Sequence, residues 1–364
     1  MEKLLRLRKE VKKIDNEILR LIRRRFNITC IIGKEKKKLG LPLKDWSVEK
    51  GVIENARNYA KVIGIDEQFA TEVISKIVEQ SRIQQERNHY SGYSGTPEDV
   101  LIIGGLGAMG RWFAYFLQNQ GHRVSIFDVK PTRLKGFKYY KNLEDAIASK
   151  SVVFIATPLS IVPRTIETLV DLNCRAVICD IASIKIHLIP AIEKAIKKGL
   201  KITSIHPMFG PGCHTLVDKV ICLCSCNNEK ADSKIKNFFK DTAVNIISLS
   251  FDEHDRLISY ILGLSHFINI LFIKVLMDSG YEFKVLKEVA STTFKSQMAT
   301  TLSVINENPE LYYEIQALNK WNNNLYNSLK NTLDQLISLI SKRKREDFKE
   351  IFIKSQGWVD AYQD

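Results

Sequence analysis

No apolar leader opens this sequence: Met1-Glu2-Lys3-Leu4 runs straight into an amphipathic, charge-rich pattern, so a secretory signal is not expected. Cysteine is scarce and scattered, seven residues in 364, and free thiols in a reducing cytoplasm are the expected state. Cys222, Cys224 and Cys226 alternate, which places them on one face of a buried strand. They lack the wider spacing and second ligand pair of a zinc site, so no metal is expected. A long uninterrupted apolar run is also missing. The best window, Ile258 to Met277, contains Ser259, Ser265, His266, Asn269 and Lys274. It is a poor membrane span and reads as a buried core helix. Aromatic stacking ladders and zinc, helix-turn-helix or RNA-binding signatures are absent, so a nucleic-acid partner is not expected either.

What is abundant is positive charge. The net charge is +13, and residues 1 to 50 hold sixteen Lys and Arg against seven Asp and Glu. Small polyanionic substrates account for such a segment. In it Leu4, Leu7, Val11, Ile14, Ile18 and Leu21 follow three-four spacing, predicting one long helix to about Lys38, stopped by Gly40 and Pro42. Val48 to Ile63, ended by Gly64, predicts a second helix. Asp66 suits the N-cap of a third, running to about His89. The turn-forming stretch Ser91 to Pro97 then reads as a linker.

Beyond it the period changes. Val100 to Ile103 predicts a strand, Gly104 to Gly110 a loop, Arg111 to Asn119 a helix and Val124 to Phe127 a second strand: a βαβ unit. Val152 to Ala156 and Ala176 to Cys179 continue the alternation, and from Phe251 onward helices return with Pro309 as the lone proline. The expected architecture is multidomain: an all-α domain over 1–90, a linker over 91–98, an α/β Rossmann-type domain over 99–249 and an all-α domain over 250–364.

Gly105, Gly107 and Gly110 spell G-x-G-x-x-G between strand and helix, with Leu106, Ala108 and Met109 interleaved. The first glycine permits the tight turn, the second lets backbone approach a pyrophosphate, and the third lets the helix pack on the sheet. Asp128 ends the second strand, where a carboxylate binds ribose hydroxyls and repels a 2′-phosphate, so NAD is the expected cofactor. Lys130 and Arg133 pull the other way, since they could neutralise a phosphate. About a hundred residues on comes His206-Pro207-Met208-Phe209-Gly210-Pro211. Hydride loss from carbon must be matched by proton loss from oxygen, and an imidazole beside a nicotinamide supplies the acceptor.

Asp180-Ile181-Ala182-Ser183-Ile184-Lys185 followed by this histidine run resembles the prephenate dehydrogenase family, with the glycine loop and Thr157-Pro158 in matching order. The resemblance covers roughly Glu98 to Tyr362. It implies NAD-dependent oxidative decarboxylation of prephenate to 4-hydroxyphenylpyruvate, with His206 as proton acceptor, Ser183 orienting it, Thr157 near the cofactor and a helical C-terminal dimerisation domain. It also implies substrate contacts from Lys185, from His266 near the tyrosine-inhibition region, and from Lys295. In the register set by Asn308 to Tyr312, Lys295 takes the place of a family arginine. Lysine keeps the charge without the two-pronged geometry.

Residues 1 to about 90 are similar to the helical chorismate mutase domain fused ahead of such dehydrogenases, at Arg8, Arg25, Lys36, Asp45, Glu49, Ser81 and Gln85. The resemblance implies that Arg8 and Arg25 grip carboxylates, Lys36 and Gln85 face the breaking ether oxygen, and Glu49 holds the substrate hydroxyl. Val48 stands where the family often has arginine. Arg25 and Lys36 lie about 16 Å apart on nearly one helix face and can converge on one ligand. Arg8 lies about 26 Å from Arg25, so from a straight helix it is either solvated or serves a second chain's pocket. The expectation is a cytoplasmic, homodimeric, bifunctional enzyme of tyrosine formation acting on chorismate and prephenate, with tyrosine as a possible inhibitor and no membrane partner. A dehydrogenase with a merely structural helical module, and a β-hydroxyacid dehydrogenase, are the alternatives.

Overall fold

The computed structural model describes residues 1–38, 46–89, 95–130, 132–213 and 215–361, with backbone only at 37–38, 46–50, 82–83 and 85–89. Three helices come first: α1 (Glu2–Lys38), α2 (Trp46–Ile63) and α3 (Glu67–His89). Gly64 at φ +72° ends α2, and the Asp66 carboxylate accepts from the Phe69 amide at 2.7 Å to cap α3. α3 packs on both α1 and α2. Along the N-terminal half of α1, Leu4, Leu7, Val11, Ile14, Ile18 and Leu21 are each at least half exposed, with no cover among the described residues.

The α/β part is an eight-stranded sheet in the order β3-β2-β1-β4-β5-β6-β7-β8. The strands are β1 (Asp99–Ile103), β2 (Arg123–Phe127), β3 (Lys138–Tyr139), β4 (Val152–Ile155), β5 (Val177–Asp180), β6 (Ile202–Pro207), β7 (Val220–Cys224) and β8 (Asn245–Ser248). All pairs are parallel except β6 with β7. Helices α4 (Ala108–Asn119), α5 (Leu143–Ile147), α6 (Val162–Asp171), α7 (Ile189–Lys197) and α8 (Glu229–Asn237) connect them. β1, β4 and β5 are apolar almost throughout because both faces are covered. Phe113, Leu117, Phe154 and Phe238 are fully buried, each worth about 1.5–3 kcal/mol of transfer free energy.

Two expectations shift here. The first helix after the glycine loop begins at Ala108 and not at Arg111, since extended Gly107 serves as N-cap and Gly110 is absorbed into the helix. β7 ends at Cys224, so Cys226 lies beyond the strand, though still buried.

Ile184–Ile189 and Ser250–Asp364 form a separate compact unit. Its helices are α9 (Phe251–Ile258), α10 (Ser265–Asp278), α11 (Phe283–Glu288), α12 (Thr292–Ile305), α13 (Pro309–Leu318), α14 (Asn322–Ser341) and α15 (Arg345–Asp360). A π-helical turn, Ser259–Leu264, joins α9 to α10. Such a turn displaces carbonyls, and Gln316 Nε2 donates to that of Gly263 at 3.0 Å. A Cβ on Gly263 would lie 2.6 Å from Asn322 Oδ1, so any side chain there would displace the Asn322 amide.

The expected buried core helix is corrected. The helix from Phe251 to Asp278 is long and apolar enough to cross a membrane, yet only 17% of its apolar window is buried in the chain. In α10 the buried residues are the polar His266 and Asn269, while Ile268, Ile270, Leu271, Val275 and Met277 are exposed. Apolar content identified the helix, but no element among the described residues covers its apolar face.

A Cβ on Gly110 would overlap the Gly104 carbonyl oxygen and sit 2.8 Å from the Gly105 Cα, both rigid backbone. Gly110→Ala should therefore lower unfolding free energy by about 1–3 kcal/mol in urea titrations and abolish NAD binding by calorimetry. Unchanged stability and affinity would contradict this packing.

Candidate active sites

The cofactor cradle is built by backbone. Gly104, at φ +81°, has no room for a side chain: its Cβ would lie 2.6 Å from the Ala156 carbonyl oxygen. A Cβ on Gly105 would meet Ile126 at 2.7 Å. These approaches press the start of α4 onto the C-terminal ends of β1 and β4, where the strand order reverses. Gly107 offers no side-chain cap and the first turn has no acid, so the first amides of α4 point outward as donors for an anion. The Asp128 carboxylate accepts from the Leu106 amide at 2.9 Å and the Lys130 amide at 3.0 Å, which fixes it beside the loop. Thr157, just past β4, has a buried hydroxyl with no hydrogen-bond partner. An orphaned donor, a glycine cradle and a ribose-facing carboxylate fit a dinucleotide. The residues suited to hold it are Gly105 to Gly110, Asp128 and Thr157.

His206 is the penultimate residue of β6 and only 4% exposed. Register sets its surroundings: His206 opposes Cys222, Ser204 opposes Cys224, and Asp180 on β5 pairs with Ser204. Alternation puts these side chains on one sheet face, with Thr203, Ile205 and Leu223 on the other. Ser183 follows three residues after the end of β5, half-buried. Asp180 Oδ1 accepts from the Ala182 amide at 3.0 Å and turns the chain there.

The next residues belong to the second unit, and sequence reasoning missed what holds them. Asp255, fully buried, accepts from the Lys185 amide at 2.9 and 3.0 Å, from the Ile186 amide at 2.8 Å, and contacts His254 Nδ1 at 2.7 Å. Its own carbonyl accepts from Asn319 Nδ2 at 2.7 Å. The adjacent His254-Asp255 at a helix start was visible in sequence, but its partners lie 70 residues away. The Lys185 side chain has no exposed surface.

In the same unit His266 stacks on Tyr312, ring centroids 4.2 Å apart, and burial pushes its pKa down to about 4. Asn269 Oδ1, a turn along, accepts from Thr301 Oγ1 at 2.8 Å and Gln297 Nε2 at 3.0 Å. Lys295 stands exposed on the first turn of α12, whose buried positions are Met298, Thr301 and Val304. No contact brings Lys295 to His266 or to this amide-hydroxyl cluster.

In the helical module the Arg25 guanidinium donates to Ser81 Oγ at 2.5 Å and to the Ile77 carbonyl at 3.4 Å, joining α1 to α3. Two of the expected mutase residues are thereby brought together, and burial lowers the Arg25 pKa. Lys36 is half-buried further along α1, while Arg8 is exposed at its far end. Asp45 and the side chains of Val48, Glu49 and Gln85 lie outside the described residues. A groove of about 360 Å³ opens beside Arg25, its other walls mostly apolar, from Val52, Tyr59, Phe69 and Val73 among others.

A glycine cradle at the strand-order reversal and a histidine at the same sheet's edge define a nicotinamide-nucleotide dehydrogenase, preceded here by a helical module. Family models match in that order: chorismate mutase type II over residues 7–86, then the nucleotide-binding domain (113–248) and dimerization domain (250–354) of prephenate dehydrogenase. The chain belongs to the prephenate dehydrogenase family and carries a type II chorismate mutase domain ahead of it. It is 23% identical to the T-protein of Haemophilus influenzae over 370 residues, covering 100% of this chain and 94% of that protein. A probable arogenate/prephenate dehydrogenase of Methanocaldococcus jannaschii is 27% identical over 69% of this chain, which spans 59% of that protein's length. The fold matches Aquifex aeolicus prephenate dehydrogenase in complex with hydroxyphenyl propionate and NAD+, with TM-score 0.60 and 19% identity, over 72% of this chain and 99% of that one.

The buried histidines give stability a pH dependence. His266 and His122, whose Nδ1 accepts from the Glu98 amide, both have pKa values lowered from 6.5 to about 4, first by desolvation. Folded chains bind these protons less tightly than unfolded ones. Stability is thus complete above about pH 6.5 and is lost as pH falls towards 4, by up to about 1.4 kcal/mol per pH unit and site. Urea unfolding from pH 7 to 5 should show this decline, and His266→Phe should reduce it; an unaltered slope would contradict the assignment. Asp255→Asn should cost about 3–5 kcal/mol in the same assay, since an amide cannot accept all these hydrogen bonds.

Proposed function

We propose that this chain rearranges chorismate to prephenate and then oxidises prephenate with NAD to 4-hydroxyphenylpyruvate, carbon dioxide and NADH, on the route to tyrosine. The observation that carries the reading is the placement, on one edge of one sheet, of the Gly105-Gly107-Gly110 cradle and the buried His206.

Bound NAD supplies the hydride acceptor. His206 takes the proton of the ring hydroxyl, and Ser183 orients the imidazole by hydrogen bonding. The carbonyl that forms draws electrons from the ring carboxylate bond, carbon dioxide leaves, and aromatisation drives the step. Walls of β-branched and aromatic side chains around β1, β4 and β5 exclude water from the cradle. The family resemblance assigns Lys185, His266 and Lys295 to prephenate binding.

The first reaction needs no proton transfer, only a preorganised electrostatic mould for a dianion. Arg25, held by Ser81, and Lys36 provide cations from one chain, and the resemblance assigns Gln85, Glu49 and Asp45 to the same substrate. Arg8 serves the pocket of a second chain. A homodimer explains two exposed apolar faces, on α1 and on α10, that no element among the described residues covers. Tyrosine, which shares the aromatic product's outline, competes at the dehydrogenase site, and the enzyme works in the cytoplasm.

His206→Asn should lower NADH formation from prephenate by at least about a hundredfold, the general-base contribution, and leave chorismate consumption unchanged. Equal loss of both activities, or retention of both, would overturn the assignment.

A further inference from the structure

His206 is followed by a loop that returns from β6 to β7, and this loop is tied to the cofactor helix by one residue. Trp112 lies on α4, just past its first turn. Its indole Nε1 donates to the Cys213 carbonyl at 2.7 Å, across 101 residues of sequence. Its ring stacks on Phe116 with centroids 4.9 Å apart and planes 13° apart, and meets Phe209 at 5.0 Å. Phe116 in turn stacks on Phe239 at 5.5 Å, anchoring the group in the core.

The end of the loop near β7 has its own anchor, since Leu216 is buried in the sheet's core and Val217 beside it is buried too. The end nearer His206 is held by the Met208 amide on the Val220 carbonyl at 2.9 Å and by a turn that Cys213 closes onto the Gly210 carbonyl at 3.1 Å. Around Gly210 and Gly212 nothing lies within 4 Å of a would-be Cβ, so no packing restrains those positions. Phe209 stands three residues after His206, and Cys213 seven. The indole therefore grips the loop at two points, by ring and by hydrogen bond, from the helix whose N-terminus receives the pyrophosphate.

We propose that Trp112 is a positioning residue for the dehydrogenase reaction: it latches the 208–213 segment to α4, so that the cofactor's seat and the base His206 are held in one rigid frame. This rests on the reading of His206 as the base and of α4 as the cofactor helix. A latch of this kind acts on the geometry between two bound groups more than on the affinity for either, and misplacement near 1 Å costs about a hundredfold in rate.

Two variants of the full chain separate its parts. Trp112→Phe keeps the ring contact and removes the donor; Trp112→Leu removes both. Hydrogen–deuterium exchange over peptides spanning 208–213 reads the latch without any substrate. Exchange should rise about tenfold in Trp112→Leu and by less in Trp112→Phe, with strand β1 peptides unchanged. With prephenate and NAD, kcat should fall about tenfold or more in Trp112→Leu, while the KM for NAD stays within about twofold. Chorismate consumption reports on folding of the remainder. Loop exchange unaltered in both variants would overturn the latch, as would a loss confined to the KM for NAD. Greater loop exchange in a wild-type chain background inactive on prephenate would uphold the latch and overturn the dehydrogenase reading instead.

Discussion

Everything in the dehydrogenase half depends on how closely α4 approaches β1 and β4. Side chains are excluded at Gly104, Gly105 and Gly110 by the Ala156 carbonyl, by Ile126 and by backbone at Gly104 respectively. That approach turns a helix N-terminus into an anion seat and sets its distance from the sheet edge. Once it is fixed, Asp128, held by the Leu106 amide, has one place to stand, and Thr157 another. The mutually parallel strands β1 to β6 deliver the remaining groups to the same edge because they all end there. β6 ends at this edge too, and its antiparallel pairing with β7 returns the chain through a loop immediately after His206.

Buried polarity is distributed differently in the C-terminal unit. There Asp255 carries a segment of chain on its carboxylate, Asn319 and Gln316 tie α13 to the α9–α10 helix, and Asn322 ties α14 to α13. The bonds to the Asp255 carboxylate from the Lys185 amide, and those from Asn319 and Asn322, are wholly or largely buried, where leaving a partner unmade costs about 1–3 kcal/mol. The apolar surface, by contrast, faces outward on α10. A unit with polar ties inside and an apolar face outside is built to bury that face against another surface.

Much of this was legible in sequence. Three-four spacing located α1, Gly64 and Asp66 marked the break between α2 and α3, and the glycine pattern named the cradle. What remained hidden was whatever depends on distant partners. The start of α4 was read three residues late, because Gly110 looks like loop until the carbonyl of Gly104 is found against it. Asp255 drew no role, since its partners at Lys185 and Ile186 come from another segment. Trp112 lies within the predicted Arg111 to Asn119 helix with nothing in sequence to mark it, and the Cys213 carbonyl gives its nitrogen a purpose. The apolar stretch of α10 was read as core, because apolar content reports that a face needs cover and not what supplies it.

The proposed function requires one chain to perform two consecutive reactions, the first in the helical module and the second at the sheet edge. The most direct measurement is to give the purified chain chorismate and NAD, with no other enzyme, and to follow NADH. NADH is expected after a lag during which prephenate accumulates, with no lag when prephenate is supplied. NADH from prephenate alone, with chorismate left unchanged, would contradict it.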